Sequence, residues 1–178
     1  MDITNNLNSP QILSIEDAFN HHYQNHLYNV CRYSFYQIGW EDTNHIEYGN
    51  IKYLHCKWNE EDIKTSEIDS NIQNTKFSEL LSNKTLESVT TNLSTPGETY
   101  FEHTHKGKIV VLYYPNLRWL RQWGGETIFY SLNNKDVEFV SEYKPNKLIL
   151  FDGQISHTVR PSSYLSPQYR FTISCFYS

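Results

Sequence analysis

The second half of this chain is punctuated too often to hold long helices. Turn-forming residues recur at Pro96-Gly97, Lys106-Gly107, Pro115-Asn116, Gly124-Gly125, Asn133-Asn134, Pro145-Asn146, Asp152-Gly153 and across Pro161–Pro167. The runs between them are short and rich in β-branched and aromatic residues, which pack well on a pleated surface. They predict strands at Ser88–Ser94, Thr99–His103, Lys108–Tyr114, Thr127–Leu132, Glu138–Tyr143, Lys147–Phe151, His157–Arg160 and Arg170–Tyr177. Short, evenly punctuated strands point to a mainly β fold, a sandwich or jelly roll that opens at one end into a pocket. Aromatic residues make up 15% of the chain, which suits such a sheet-rich core.

The first half reads differently. Residues 1–13 are expected to be a loosely held lead-in. Ser14 and Asp17 have the spacing of a helix-capping pair, and Ile15, Phe19, Tyr23 and Leu27 then recur every fourth residue. That pattern predicts a helix from Ser14 that pads the outside of a sheet. Tyr33–Trp40 and Ile46–Trp58 read as strands around a Gly49-Asn50 turn, 59–75 as a polar loop or edge insertion, and Phe77, Leu80 and Leu81 as a short second helix. A length of 178 residues, with no visible linker or repeat, fits a single domain over 1–178.

Several function classes are disfavoured by composition. The net charge is -5 and no Lys/Arg run occurs, so nothing prepares the chain to neutralise phosphates and no nucleic-acid partner is expected. No apolar run approaches the ~18 residues of a spanning helix, so no membrane partner is expected. The polar N-terminus lacks the plan of a signal peptide. Cys31, Cys56 and Cys175 are scattered and odd in number, which fits a reducing, cytoplasmic setting.

Three of the eight histidines carry a metal-ligand pattern. His103 and His105 are one residue apart, so on a strand both imidazoles point the same way. His157 follows a Gly-containing turn at the start of another predicted strand, where it could complete the site. His21, His22, His26, His45 and His55 have no partner pattern and read as ordinary structural or surface histidines.

The surrounding blocks sharpen this reading. Ile109–Phe129, IVVLYYPNLRWLRQWGGETIF, carries Tyr-x-Asn, Trp and Gly-Gly-Glu-Thr. KPNKLILFDGQISH leads to His157, Val159-Arg160-Pro161 follows, and Arg170-Phe171-Thr172 lies 13 residues beyond His157. In that order the blocks, over about residues 88–178, resemble the prolyl-hydroxylase-like Fe(II)- and 2-oxoglutarate-dependent dioxygenases. The resemblance implies a double-stranded β-helix with a few supporting N-terminal helices. It implies hydroxylation of a peptidyl or small-molecule substrate, with Fe(II), the co-substrate 2-oxoglutarate, and ascorbate as a candidate addition. His103, His105 and His157 would hold the metal. Arg170 and Thr172, on one strand face, would take the distal carboxylate of 2-oxoglutarate, with Tyr114 as a third contact. Arg160 competes for the arginine role, but the Arg-x-Thr pattern favours Arg170. The Gly124-Gly125 pair is expected in a tight turn, and Trp119 and Trp123 in the core or pocket wall.

One departure stands out. The family pattern is His-x-Asp, and this chain has His103-Thr104-His105. An imidazole in place of a carboxylate leaves the metal one unit more positive and changes its electron donation. Three other readings stay open. His105-Lys106-Gly107 matches the His-x-Gly of related halogenases. Gly97 followed by His103-x-His105 matches the opening of a cupin motif, whose later Glu is missing here. A degenerate oxygenase fold acting as a binding module is the third.

Overall fold

The structure, a computed structural model, describes residues 12–39, 54–98, 101–133 and 136–178. Among the described residues ten strands fall into two antiparallel sheets. In chain order they are β1 (Ile12–Ile15), β2 (Gln37–Ile38), β3 (Leu54–Lys57), β4 (Leu86–Ser94), β5 (Ile109–Tyr114), β6 (Thr127–Tyr130), β7 (Val137–Ser141), β8 (Lys147–Asp152), β9 (His157–Val159) and β10 (Arg170–Tyr177). The large sheet has the order β1-β8-β5-β10-β4-β3-β2 and the small one β7-β6-β9. The segment through His103 joins the small sheet by a single bridge to His157. Two sheets facing each other in this way form a jelly roll.

Alternation along the central strands divides the interior into two cores. On β10, Phe171, Ile173, Cys175 and Tyr177 join one cluster, which includes Leu27 and Cys31 of helix α1 (His21–Tyr33) and Ile68 and Ile72 of α3 (Ile68–Gln73). That core sits between the large sheet and the helices. On β5 and β8, Val110, Leu112, Tyr114, Ile149 and Phe151 join Phe129 of β6 in a second core between the sheets. Arg170, Thr172, Ser174 and Phe176 occupy the alternate face of β10 and line a cavity on that inner side.

The strand expectations hold for β4 to β10, with ends moved by a residue or two. Thr99–His103 does not form a named strand among its described residues; only the His103 bridge is present, and residues 99 and 100 lie outside the description. The N-terminal expectations need correction. Ser14 lies in β1, whose residues pair with Leu148–Phe151, because an apolar Ile-Leu-Ser-Ile run can extend a buried sheet edge. Asp17 has a left-handed backbone (φ 49°), and the helix begins only after Asn20, whose side chain accepts from the Tyr23 amide at 2.9 Å. So Tyr23 and Leu27 are helical, whereas Ile15 is not and Phe19 precedes the cap. The helix does pad the outside of the large sheet.

Tyr33 belongs to the helix, and only Gln37–Ile38 of Tyr33–Trp40 is strand. Of Ile46–Trp58 the described strand is Leu54–Lys57, and the Gly49-Asn50 turn lies outside the described residues. The segment 59–75 is not a loop but contains two helices, α2 (Glu60–Ser66) and α3. Its charge hid a capping box: the Asn59 side chain accepts from the Asp62 amide and the Asp62 carboxylate accepts from the Asn59 amide. The short helix at Leu80 forms as α4 (Ser78–Leu81).

Candidate metal and co-substrate site

His103, His105 and His157 converge. The backbone N–H groups of His103 and His157 each donate to the other's carbonyl at 3.0 Å, and the His105 amide donates to the Gly153 carbonyl at 2.7 Å. Gly153 is needed for this approach, because a Cβ there would run into the His105 carbonyl oxygen. The ring centroids lie 4.3 Å apart for His103–His157, 4.9 Å for His103–His105 and 5.2 Å for His105–His157. One ligand atom from each lies within 4.8 Å of the others, a spacing that could hold a metal ion.

The ring orientations are fixed locally. Nδ1 of His103 is 3.2 Å from the Phe101 carbonyl, and Nδ1 of His157 is 3.1 Å from the Ile155 carbonyl. A carbonyl oxygen only accepts, so each Nδ1 carries a proton, which in the neutral ring leaves the lone pair on Nε2. This is the second-contact pattern that holds metal-ligating imidazoles in place. Burial holds the His157 pKa well below the ordinary histidine value, and His103 and His105 push it further down. The Phe151 and Phe129 rings lie 4.9 and 5.8 Å from His157, which makes its surroundings dry.

Arg170 enters the same cavity from β10 and is only 1% exposed. Its Nε donates to the Gly125 carbonyl at 2.8 Å and one terminal nitrogen to Thr127 Oγ1 at 3.3 Å. Its guanidinium carbon lies 4.7 Å from the Tyr143 ring centroid and 5.5 Å from that of Tyr114. Among the described residues no carboxylate forms an ion pair with it. A buried, unpaired cation is costly unless an anion arrives. The Gly124-Gly125 turn, with φ of 67° and 84°, brings the carbonyl close; a Cβ on Gly125 would stand 3.0 Å from Arg170 Cδ.

The cavity measures about 250 Å³. The triad, Arg170 and Thr172 all line it. Tyr114 is fully buried and donates its hydroxyl to Thr127 Oγ1 at 2.8 Å; Thr127, not Tyr114, is among the cavity-lining residues. Burial raises the Tyr114 pKa against the lowering effect of Arg170, so its phenol stays a hydrogen-bond donor. Arg160 is exposed and off the cavity, whereas Trp119 and Trp123 sit in the inter-sheet core. Among the polar lining residues to which the sequence analysis gave no site role are Thr127, His55, Lys57 and Asn92. Thr127 ends the Gly-Gly-Glu-Thr block and was legible there; the other three sit on β3 and β4 outside any motif.

The donor set fits a divalent ion with a chelating dicarboxylate. Three imidazoles suit iron, nickel or zinc, and Arg170 offers its planar fork to a carboxylate. No Asp or Glu is among the described lining residues, so anionic charge must come from a ligand.

These two sheets, with the site between them, form the double-stranded β-helix fold of the prolyl-hydroxylase-like 2-oxoglutarate–Fe(II) oxygenases. Among solved structures the chain is similar to a prolyl-4-hydroxylase from Pseudomonas putida (TM-score 0.62, 15% identity, covering 93% of this chain and 91% of that one). It is also similar to an oxidoreductase of the 2OG-Fe(II) oxygenase family from Burkholderia pseudomallei (TM-score 0.69, 12% identity, 96% and 85% covered). A third is a prolyl hydroxylase from Trichoplax adhaerens in complex with a hypoxia-inducible-factor oxygen-degradation-domain peptide fragment (TM-score 0.63, 22% identity, 93% and 82% covered). No family model and no curated protein sequence matches the chain.

Proposed function

We propose that this protein is an Fe(II)- and 2-oxoglutarate-dependent oxygenase that hydroxylates a peptidyl or small-molecule substrate. The observation that carries the reading is Arg170, a buried cation with no carboxylate partner among the described residues, facing the cavity that the three histidines share. His103, His105 and His157 hold the metal through three imidazole nitrogens. Arg170 directs its remaining N–H donors at the distal carboxylate of 2-oxoglutarate, and Thr172, two residues along the same face, adds a hydroxyl. Tyr114 acts one step behind, orienting Thr127. When bound, iron and 2-oxoglutarate supply the oxidising power that places one oxygen atom of O₂ into a C–H bond, with succinate and CO₂ as the other products. Val110, Leu112, Phe151 and Phe176 wall the triad with apolar surface and limit water there. The shared fold with the 2-oxoglutarate oxygenases supports this reading, and the free thiols of Cys31, Cys56 and Cys175 support a cytoplasmic setting.

The test is anaerobic titration of 2-oxoglutarate into iron-loaded protein, followed by admission of air and measurement of succinate. Saturable binding and succinate release are expected. Tight zinc binding without any 2-oxoglutarate affinity would instead support a cupin-like three-histidine metal protein.

A further inference from the structure

The cavity is chemically lopsided. Around the triad its wall is apolar, while toward β3 and β4 it is polar, through Lys57, Thr90, Asn92 and Ser174. Lys57, Thr90 and Ser174 are successive cross-strand partners on β3, β4 and β10, so their side chains form one row on the cavity face. The next residue on that face of β10, Phe176, packs its ring 4.9 Å from His105. Strand spacing puts Lys57 about 10 Å to the side of Ser174. The row thus runs from the lysine to the strand that carries Phe176 against His105, a span on the scale of a small molecule.

Charge favours one kind of occupant. Lys57 and Arg170 are cations, and the described lining holds no carboxylate. Lys57 is exposed at the cavity and, among the described residues, makes no ion pair. With His105 where a carboxylate is usual, a divalent ion on the triad keeps its whole charge. Even after the two negative charges of 2-oxoglutarate, the cavity holds an excess of about two positive charges, and low-dielectric walls focus that potential on whatever enters. A neutral peptide segment leaves it uncompensated; a second small anion does not. Of the about 250 Å³ available, 2-oxoglutarate takes a large part, so little room remains for a bulky substrate.

We propose that Lys57, with the polar row beside it, is the substrate-selecting end of this cavity, and that the substrate is a small molecule bearing a carboxylate. The proposal rests on the oxygenase reading for the charge on the triad. Lys57 binds the carboxylate as a point charge, Thr90 and Ser174 supply hydroxyl donors, and the apolar wall receives the carbon skeleton next to the metal.

The test is ligand-observed NMR on zinc-loaded protein saturated with 2-oxoglutarate. The library is balanced among small carboxylic acids, their neutral primary amides, small amines, phosphate monoesters and short proline peptides. Carboxylic acids should bind at least tenfold more often than their amides. Lys57→Met should remove that preference, and Lys57→Glu should turn it toward amines. A charge-blind hit list, a list led by phosphate monoesters or proline peptides, or a carboxylate preference that survives Lys57→Met and Lys57→Glu would overturn the proposal. Binding of 2-oxoglutarate to the parent protein is measured first. Its absence would sink the oxygenase reading, whereas normal 2-oxoglutarate binding with no carboxylate preference would sink only the role of Lys57. Circular dichroism of both variants shows whether they fold.

Discussion

His103 and His157, 54 residues apart in the chain, exchange both backbone hydrogen bonds at 3.0 Å, and this bridge brings their rings to 4.3 Å. The relative position of two candidate ligands is therefore set by main chain, not by flexible side chains. His105 is tied to the same loop through Gly153, so all three imidazoles share one rigid frame.

The triad makes a first prediction. His105→Ala should lower iron or zinc affinity at least about 100-fold, since one of three protein ligands is gone. His105→Asp should retain iron, because the carboxylate restores the two-histidine, one-carboxylate face and lowers the net charge. Metal content after dialysis, with calorimetric titration, measures both. Parent-like binding by His105→Ala would make His105 a bystander. If His105 were the first ligand of the His-x-Gly arrangement, His103→Ala would be the mild substitution.

In the proposed reading Arg170 sets the co-substrate affinity. Arg170→Ala should weaken 2-oxoglutarate binding by about 2–5 kcal/mol, because a buried charge-assisted pair is lost, while metal binding stays near the parent value. Arg170→Lys should recover only part, since an ammonium cannot reproduce the planar fork or its packing on the Tyr143 ring, 4.7 Å away. Equal 2-oxoglutarate affinity in parent and alanine variant would remove Arg170 from the site.

Gly125→Ala is a sharper probe of the same contact. At φ 84° a side chain is strained, and the new Cβ would press on Arg170 Cδ. A stability loss of about 1–3 kcal/mol is expected. A fall in 2-oxoglutarate affinity should accompany it, with the metal retained. Urea denaturation and titration measure the two separately.

Stability should also depend on pH through His157. Its folded-state pKa lies below the ordinary value, chiefly from burial, while the unfolded chain titrates near 6.5. The unfolded state thus takes up a proton that the folded state refuses. Stability of the metal-free protein is full above about pH 6.5 and falls as the pH drops below it. Urea midpoints between pH 7.5 and 5 should show this slope, and His157→Gln should flatten it. An unchanged slope in that variant would place the pH dependence elsewhere.

Much of the fold was legible because local chemistry and tertiary role agree from β4 onward. Turn residues bound each strand, and alternation on β10 separates Phe171, Ile173, Cys175 and Tyr177 from Arg170, Thr172, Ser174 and Phe176. Arg170-x-Thr172 fixed a shared face of β10, whereas His103 and His105 are held by backbone ties to His157 and Gly153 rather than by the expected strand. Before β4 some local signals misled. The apolar period through Ile15 and Phe19 looks helical, but pairing with β8 satisfies that backbone better, and Asn20 is the stronger cap. The charged stretch after Asn59 looks like loop, yet its capping box and the burial of Ile68 and Ile72 make helices.

By itself the sequence determined the strand punctuation and brought His103, His105, His157 and Arg170 forward as candidates, because each depends on residue type and spacing along one segment. Tertiary structure decided that Tyr114 stands behind Thr127, that Arg160 points away, and that Lys57, His55 and Asn92 share the cavity with the triad. Those outcomes depend on cross-strand register between segments far apart in the chain. A shift of one residue in pairing would turn every such side chain to the opposite face.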